Sequence, residues 1–384
     1  MHFLSALGVV ITLASAPTPP SVKGPRSTTS RTPVYVFSAH ERGVPAARMR
    51  FQCAFDSSRL HPCRARYSQR LALGRHLLRV QAVDPRGRRS RVTSVRIVVL
   101  APPPALLRPD ATISVGARPI GLAFGADAVW SVNYAGGSVS RIDPAANRVT
   151  ATISLGGEPY GAAYGAGAVW IGDIAGGMVS RLDPLTASVA KITLGGEELT
   201  PAVAFGSVWF PNFRGGAVNR IDPATNSVIA TIAVGGNPEA VAAGPGAIWV
   251  SNEDASVERI DPATNAVVAR ISVPPDPDYL AVDDSGAVWV TSLQGRAVSR
   301  IDPATNAISG TVPVAAGTQG VAVAAGSVWV GNYNQGTLVR IDPARLAIRA
   351  RYRVGNRPRQ LAVGAGSLWV ANEGSNTVSR IVLR

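Results

Sequence analysis

The chain has 384 residues, 46% of them hydrophobic and 6% aromatic, with only four histidines and two cysteines. Its formal charge of +14 sits at one end: residues 1–109 hold 18 Lys and Arg against 3 Asp and Glu, whereas residues 110–384 hold 20 against 21. The length allows two or three domains, while the sparse Cys and His, with no C-x-x-C pair, exclude the common zinc modules.

Residues 3–16 form a short apolar run ending Ala14-Ser15-Ala16. The run is too short to span a bilayer, and its small-residue end fits a cleavage site, so residues 1–16 are predicted as a signal peptide. The n-region, Met1-His2, lacks the usual Lys or Arg. No later run of 18 apolar residues follows, so no transmembrane segment is expected and the chain is placed in a secreted or cell-envelope compartment. Residues 17–32, rich in Pro, Ser and Thr, are predicted as a flexible spacer.

Residues 33–101 alternate in the manner of short strands: Val34 to Phe37, Met49 to Cys53, His76 to Val83 and Val92 to Leu100, with Asp84-Pro85-Arg86-Gly87 as a turn. Such a module makes a small β-sandwich with a thin core. Cys53 and Cys63 are expected to form one disulfide in an oxidising compartment, the alternative being two free thiols. His40, His61 and His76 read as surface or turn residues. The pattern Phe51-Gln52-Cys53, Asp56, Cys63, Gly74-Arg75-His76 and Ala82-Val83-Asp84 resembles the small immunoglobulin-like modules of secreted bacterial proteins. That resemblance implies a spacer or adhesive domain and no catalysis.

Residues 102–109 are a Pro-rich linker, and from residue 110 a repeat takes over. The seven Trp residues, Trp130, Trp170, Trp209, Trp249, Trp289, Trp329 and Trp369, recur at steps of 40, 39, 40, 40, 40 and 40. A tetrad of the form R-[IL]-D-P follows the first six at Arg141, Arg181, Arg220, Arg259, Arg300 and Arg340. A period near 40 in an apolar, Gly-rich chain without helical patterning signifies a β-propeller. One repeat reads as four strands, Ile120 to Phe124, Ala128 to Val132, Ser138 to Ile142 and Val149 to Leu155. The last repeat stops after its third strand, and Ala111 to Val115 is an orphan fourth strand able to complete it. The predicted fold class is therefore all-β: a seven-bladed β-propeller over 110–384 behind a small immunoglobulin-like β-sandwich.

The repeat, with its V-W-V-x-N, V-S-R-I-D-P-A-T-N and A-T-I segments, resembles the YVTN family of β-propellers. It is also similar to the virginiamycin B lyase (streptogramin lyase) group of seven-bladed propellers. Lyases of that group use His and Glu with Mg²⁺ to abstract a proton. Residues 110–384 contain no His, so the activity is not carried over.

Residues common to every repeat, the Trp, Arg and Asp-Pro turns, read as scaffold. Positions that differ between repeats, in the loops entering the inner strand and following V-W-V, are expected around the channel mouth. The first set gives Ile120, Tyr160, Pro201, Glu239, Asp278, Gln319 and Arg359, with the alignment of the third and fifth repeats open by one or two residues. The second gives Tyr134, Ile174, Phe213, Glu253, Leu293, Tyr333 and Glu373. Tyr134, Tyr160, Phe213, Glu239, Glu253, Asp278, Gln319, Tyr333, Arg359 and Glu373 are the candidate ligand-binding residues. The expected function is binding, without catalysis, of a small molecule or protein at the mouth by a monomeric, exported propeller. Repeats one to three are expected to give the mouth an aromatic and apolar wall, and repeats four to seven a carboxylate-rich wall. No cofactor is expected beyond Ca²⁺ or Mg²⁺ on the carboxylate wall, no catalytic residue is assigned, and no nucleic-acid partner is expected. Two alternatives stand beside it: a divergent metal-dependent lyase, and a structural envelope protein whose basic N-terminal module holds an anionic cell-wall polymer.

Overall fold

A computed structural model describes residues 16–100 and 106–384, so the bulk of the predicted signal peptide lies outside the described residues. The chain divides into two compact units at Pro104/Ala105. Among the described residues there is no α-helix, and no helix long and apolar enough to cross a membrane.

The first unit packs a three-stranded sheet, Ser21–Lys23, Val34–Ser38 and Arg66–Ser68, against a five-stranded one. The larger sheet runs in the order Ser27–Thr28, Thr93–Val99, Gly74–Val83, Arg50–Phe55, His61–Cys63. Strict alternation sends Tyr35 and Phe37 from one sheet, and Phe51, Leu78, Val80 and Ile97 from the other, into one core. Residues 17–32 depart from the predicted spacer. Ser21–Lys23 pairs with Val34–Ser38, and Ser27–Thr28 runs parallel to Thr93–Val99. Their Pro, Ser and Thr content suits short edge strands, where a missing ladder donor costs little. Cys53 and Cys63 form a disulfide between neighbouring strands with their Cα atoms 5.9 Å apart. His76, predicted as surface material, instead lies on a strand. Its Nδ1 meets Asp56 Oδ2 at 2.6 Å and its Nε2 meets Ala72 O at 2.9 Å.

The second unit consists of seven four-stranded antiparallel sheets. The first is Pro119–Gly125, Ala128–Asn133, Ser138–Asp143 and Arg148–Ser154, from axis to rim. Each innermost strand packs against that of the next sheet, and Pro358–Gly364 of the last packs against Pro119–Gly125 of the first. The outer strand of the last sheet is Ala111–Ser114, which pairs with Thr377–Val382. The predicted linker also shortens: Leu107 N–H donates to Arg351 O and its carbonyl accepts from Arg353 N–H, so the chain is tied to the sixth sheet before residue 110.

The repeated residues explain the ring. Each Trp lies opposite the Arg of its tetrad on the neighbouring strand, as Trp130 does Arg141. The guanidinium carbon stands 4.6 Å from the indole centroid at Arg220 and 6.0 Å at Arg300, the two extremes of the seven pairs. All seven indoles are essentially buried. Three of these Arg also reach the next sheet: Arg220 Nη1 donates to Pro262 O and Asn265 Oδ1 at 2.7 and 2.8 Å. Arg259 does the same to Pro303 and Asn306. Arg380 of the last sheet reaches Pro144 O and Asn147 Oδ1 of the first at 2.6 and 2.9 Å. Asn147, Asn265 and Asn306 all have φ between 50° and 57°, a left-handed turn conformation that Asn tolerates better than most residues. In these three pairs the Asp-Pro turn ending in Asn is thus a receptor for the preceding sheet's Arg.

Candidate functional site: the mouth of the propeller

Strand register settles which residues stand at equivalent positions just inside each innermost strand. They are Ile120, Tyr160, Leu199, Glu239, Asp278, Gln319 and Arg359, each three residues before the partner of its sheet's Trp. The third member is Leu199, not Pro201. In the third repeat Pro follows the bulge instead of preceding it, and the innermost strand is reduced to Ala202–Ala204. The next layer is Gly121, Gly161, Thr200, Ala240, Tyr279, Gly320 and Gln360. Glycine there is a packing requirement: a Cβ on Gly121 would stand 2.4 Å from Tyr160 O, and one on Gly320 would collide with Arg359 O.

The three large members of that layer close the floor. Gln360 Oε1 accepts from Leu122 N–H at 3.0 Å and Ala162 N–H at 3.3 Å, while its Nε2 donates to Ala162 O at 2.9 Å. It satisfies backbone groups of two other sheets. Tyr279 is buried, and its hydroxyl has no hydrogen-bond partner within the distance limits of a normal bond. The sequence signal for both was available: they are bulky where four of the other five repeats keep Gly or Ala.

Above this floor lies a cleft of about 640 Å³ lined by Gln319, Tyr333 and Arg359 together with Leu293, Arg296 and Asn334. Arg359 Nε donates to Glu373 Oε2 at 2.8 Å, and its guanidinium lies 5.0 Å from the Tyr333 ring centroid. Arg118 holds the other Glu373 oxygen at 2.5 Å. Burial works to raise the Glu373 pKa, but Arg359 and Arg118 overcome it and hold the carboxyl below its ordinary range. Burial likewise works against the charge on Arg359, yet Tyr160, Tyr279, Glu373 and Asp278 outweigh it and the guanidinium stays protonated.

Glu239 and Asp278 behave differently. Asp278 is only 8% exposed. Burial raises Glu239, and the charges of Asp278, Glu253 and Asp276 raise it further, with Arg359 a minor counterweight. Burial also raises Asp278, opposed by Arg359 and by a hydrogen bond from Gln319. The two are close enough to titrate as one pair that resists carrying two charges. Tyr160 is raised by burial and feels Arg359, Asp278, Glu239 and Glu373, which puts it in the same cluster.

Of the ten predicted residues, Tyr160, Glu239, Asp278, Gln319, Tyr333, Arg359 and Glu373 thus come together. Tyr134 joins at one remove: its ring lies 4.8 Å from the Arg118 guanidinium and its hydroxyl donates to Glu158 Oε2 at 2.9 Å. Glu253 is exposed at the rim, where Asn237 Nδ2 donates to its Oε2 at 2.9 Å. Phe213 does not line the cleft, and its loop is fixed elsewhere by Phe213 N–H to Glu197 O. The expected division into an aromatic wall and a carboxylate wall is blurred, because Tyr333 sits on Arg359 itself. Among the described residues no group of three or more His, Cys, Asp or Glu side chains converges to hold a metal ion.

No protein-family model matches the chain, and no curated protein matches it in sequence. Solved structures do match in shape. Virginiamycin B lyase from Staphylococcus aureus, in its selenomethionine form, superimposes with a TM-score of 0.64 at 16% identity, over 71% of this chain and 99% of that one. Hydrazine synthase of Kuenenia stuttgartiensis gives 0.62, also at 16% identity, over 73% of this chain and 98% of that one. At such identity the likeness concerns architecture alone, and with the seven four-stranded sheets it makes the second unit a β-propeller.

Proposed function

We propose that the chain is an extracytoplasmic, non-catalytic binding protein: a seven-bladed propeller, carried behind an immunoglobulin-like module, that takes a small ligand bearing an ammonium group into the mouth cleft. The observation that carries this reading is the Glu239–Asp278 pair, two crowded carboxyls linked to the cleft through Gln319 and Arg359, which line it, with Arg359 already engaged by Glu373. Carboxyls held in low-dielectric surroundings, whose one neighbouring cation is shared with Glu373, gain from a further cation. Gln319, buried beside Asp278 with its Oε1 unpartnered, adds an acceptor and no positive charge. The carboxyls do not converge as hard-cation ligands, which favours an organic ammonium over Ca²⁺ or Mg²⁺. Tyr333, braced by Arg359, offers the ligand an aromatic edge. The disulfide supports the extracytoplasmic assignment.

The test is calorimetric titration of the full chain with choline, cadaverine and glycylglycine, and separately with CaCl₂ and MgCl₂. Saturable binding of an amine, weakened roughly tenfold or more in Glu239→Gln and in Asp278→Asn, is expected from loss of a charge-assisted hydrogen bond. Heat from the metal salts alone would redirect the site to a cation. Mg²⁺-dependent cleavage of a cyclic depsipeptide would replace the binding reading with the lyase one.

A further inference from the structure

The basic charge of the first unit is arranged, not scattered. Residues 16–100 contain 17 Lys and Arg against three acidic residues. All three acids are consumed within the unit. Arg88 holds Glu41 and Asp84, and Asp56 accepts from the Leu77 N–H and meets His76. Asp56 also comes near further guanidinium groups, acting on Arg79 and lining one surface pocket with Arg75 and Arg96.

The register of the five-stranded sheet then decides where those groups go. Phe51, Cys53, Leu78, Val80, Val95 and Ile97 face the core, so the intervening residues face outward. On Gly74–Val83 these are Arg75, Leu77, Arg79, Gln81 and Val83. Arg96 lies opposite Leu77 on one flanking strand, and Arg50 lies opposite Val83 on the other. At ~3.4 Å per residue, Arg75, Arg96, Arg79 and Arg50 stand at levels of roughly 0, 7, 14 and 27 Å along one direction. Arg50, Arg75 and Arg96 are exposed; Arg79 is partly buried, its Nη1 donating to Ser57 O at 2.9 Å. The remaining outward positions of these strands, such as Gln52, Gln81 and Ser94, are neutral. No acidic and no aromatic side chain interrupts the outward positions of these three strands.

We propose that this outer sheet face, along Arg75, Arg96, Arg79 and Arg50, is a docking track for a linear, phosphate-bearing polyanion with a non-nucleotide backbone. Phosphate fits because a diester stays ionised throughout the physiological range and offers oxygens to guanidinium groups arriving from either neighbouring strand. A linear polymer fits because the cations lie in a row and not around a pocket. A nucleic acid is disfavoured because the face has no aromatic platform on which bases could stack.

The experiment measures binding of fluorescently labelled long-chain inorganic polyphosphate to the full chain by anisotropy across an NaCl series. Arg50→Ser/Arg75→Ser/Arg96→Ser is compared with Arg42→Ser/Arg64→Ser/Arg66→Ser, which removes the same charge away from the face. The first variant is expected to bind roughly tenfold or more weakly, and its log–log salt slope to fall by about two, given ~0.7 for each phosphate no longer neutralised on a flexible strand. The second should stay within about threefold of wild type, as expected for cations outside the track. Equal weakening of the two variants would show that net charge alone binds, and would overturn the track. So would absence of binding at low salt, or displacement of polyphosphate by single-stranded DNA at a lower phosphate concentration.

Discussion

At the level of single residues, the informative groups are carboxyls held where charge is costly. At the mouth, burial and the charge of Asp278 raise Glu239, so its carboxyl tends to hold a proton that an incoming ammonium would displace. Ligand binding should therefore release a proton. The apparent affinity should rise with pH through the raised range of Glu239 and then level off. Calorimetry in two buffers of different ionisation heat reads this directly: Glu239→Gln should bind more weakly and with no net proton release. A second buried carboxyl, beside Leu199 in sequence, points into its own sheet. Glu198 is fully buried, its Oε1 accepts from Asn219 Nδ2 at 3.1 Å, its Oε2 has no partner, and burial pushes its pKa up to about 8. The folded state thus binds this proton more tightly than the unfolded chain. Stability is present in full below the ordinary Glu range and falls as pH rises from there to about 8. Glu198→Gln mimics the protonated form, keeping the Asn219 bond without the charge. Its expected effect is a gain of roughly 1–3 kcal/mol at pH 8 and little change at pH 4, by denaturant unfolding at both. Equal effects at the two pH values would rule out the charge as the cause.

At the level of elements, the Arg clamp between sheets carries the architecture. Arg380 closes the series by reaching Pro144 and Asn147 of the first sheet while its guanidinium covers Trp369. Arg380→Ala removes three hydrogen bonds from a charged donor, the third being Nε to Ser367 Oγ at 2.8 Å, and uncovers one face of an indole. A loss of roughly 2–4 kcal/mol in unfolding free energy is expected. Arg380→Lys should recover only part of it, because an ammonium cannot reach the carbonyl and the amide while lying flat on the ring. These elements were legible in the sequence because the repeats write nearly the same instruction: Trp opposite Arg in all seven, Asp-Pro at the turn in six, and Asn in the left-handed position in four of those, with Ala187 and Leu346 in the other two. The exceptions were not. In the third repeat, Pro201 sits two residues beyond the mouth position, so Leu199 takes that place and Pro does not. The role of Gln360 also escaped, since it acts on sheets far away in sequence: Gln360 is 238 residues from Leu122. Which candidate residues share a cleft depends on side-chain reach across the axis, and spacing along the chain carries no record of that. The edge strands Ser21–Lys23 and Ser27–Thr28 were hidden for the opposite reason, because two- and three-residue pairings leave no periodic pattern.

At the level of the whole propeller unit, the ring depends on one short strand from the far end of the sequence. Ala111–Ser114 pairs with Thr377–Val382, Ile113 is buried against Val378 and Trp369, and Asp110 Oδ2 accepts from Val382 N–H at 2.8 Å. Without it, the last sheet would keep three strands and expose the backbone edge of Thr377–Val382, an edge whose Val378 and Ile381 are buried in the closed ring. Such an edge pairs readily with a second chain. The strand is also the point at which the two ends of the repeat array are held, so its contribution exceeds that of its few hydrogen bonds. Opening the ring also weakens the packing of Pro358–Gly364 on Pro119–Gly125 and the Arg380 clamp. Replacing Ile113 with Asp in the full chain tests this without shortening the protein. It places an unpaired carboxylate in a site that is 4% exposed, at an expected cost of about 3–5 kcal/mol. The variant should elute as dimers and larger species on size exclusion, in proportion to protein concentration. Replacing Thr112, which faces away from that core at the rim, with Asp should leave the elution unchanged. A monomeric Ile113→Asp variant with wild-type unfolding would mean that the ring is held by its innermost strands and the Arg clamps, with the returning strand a passive cover.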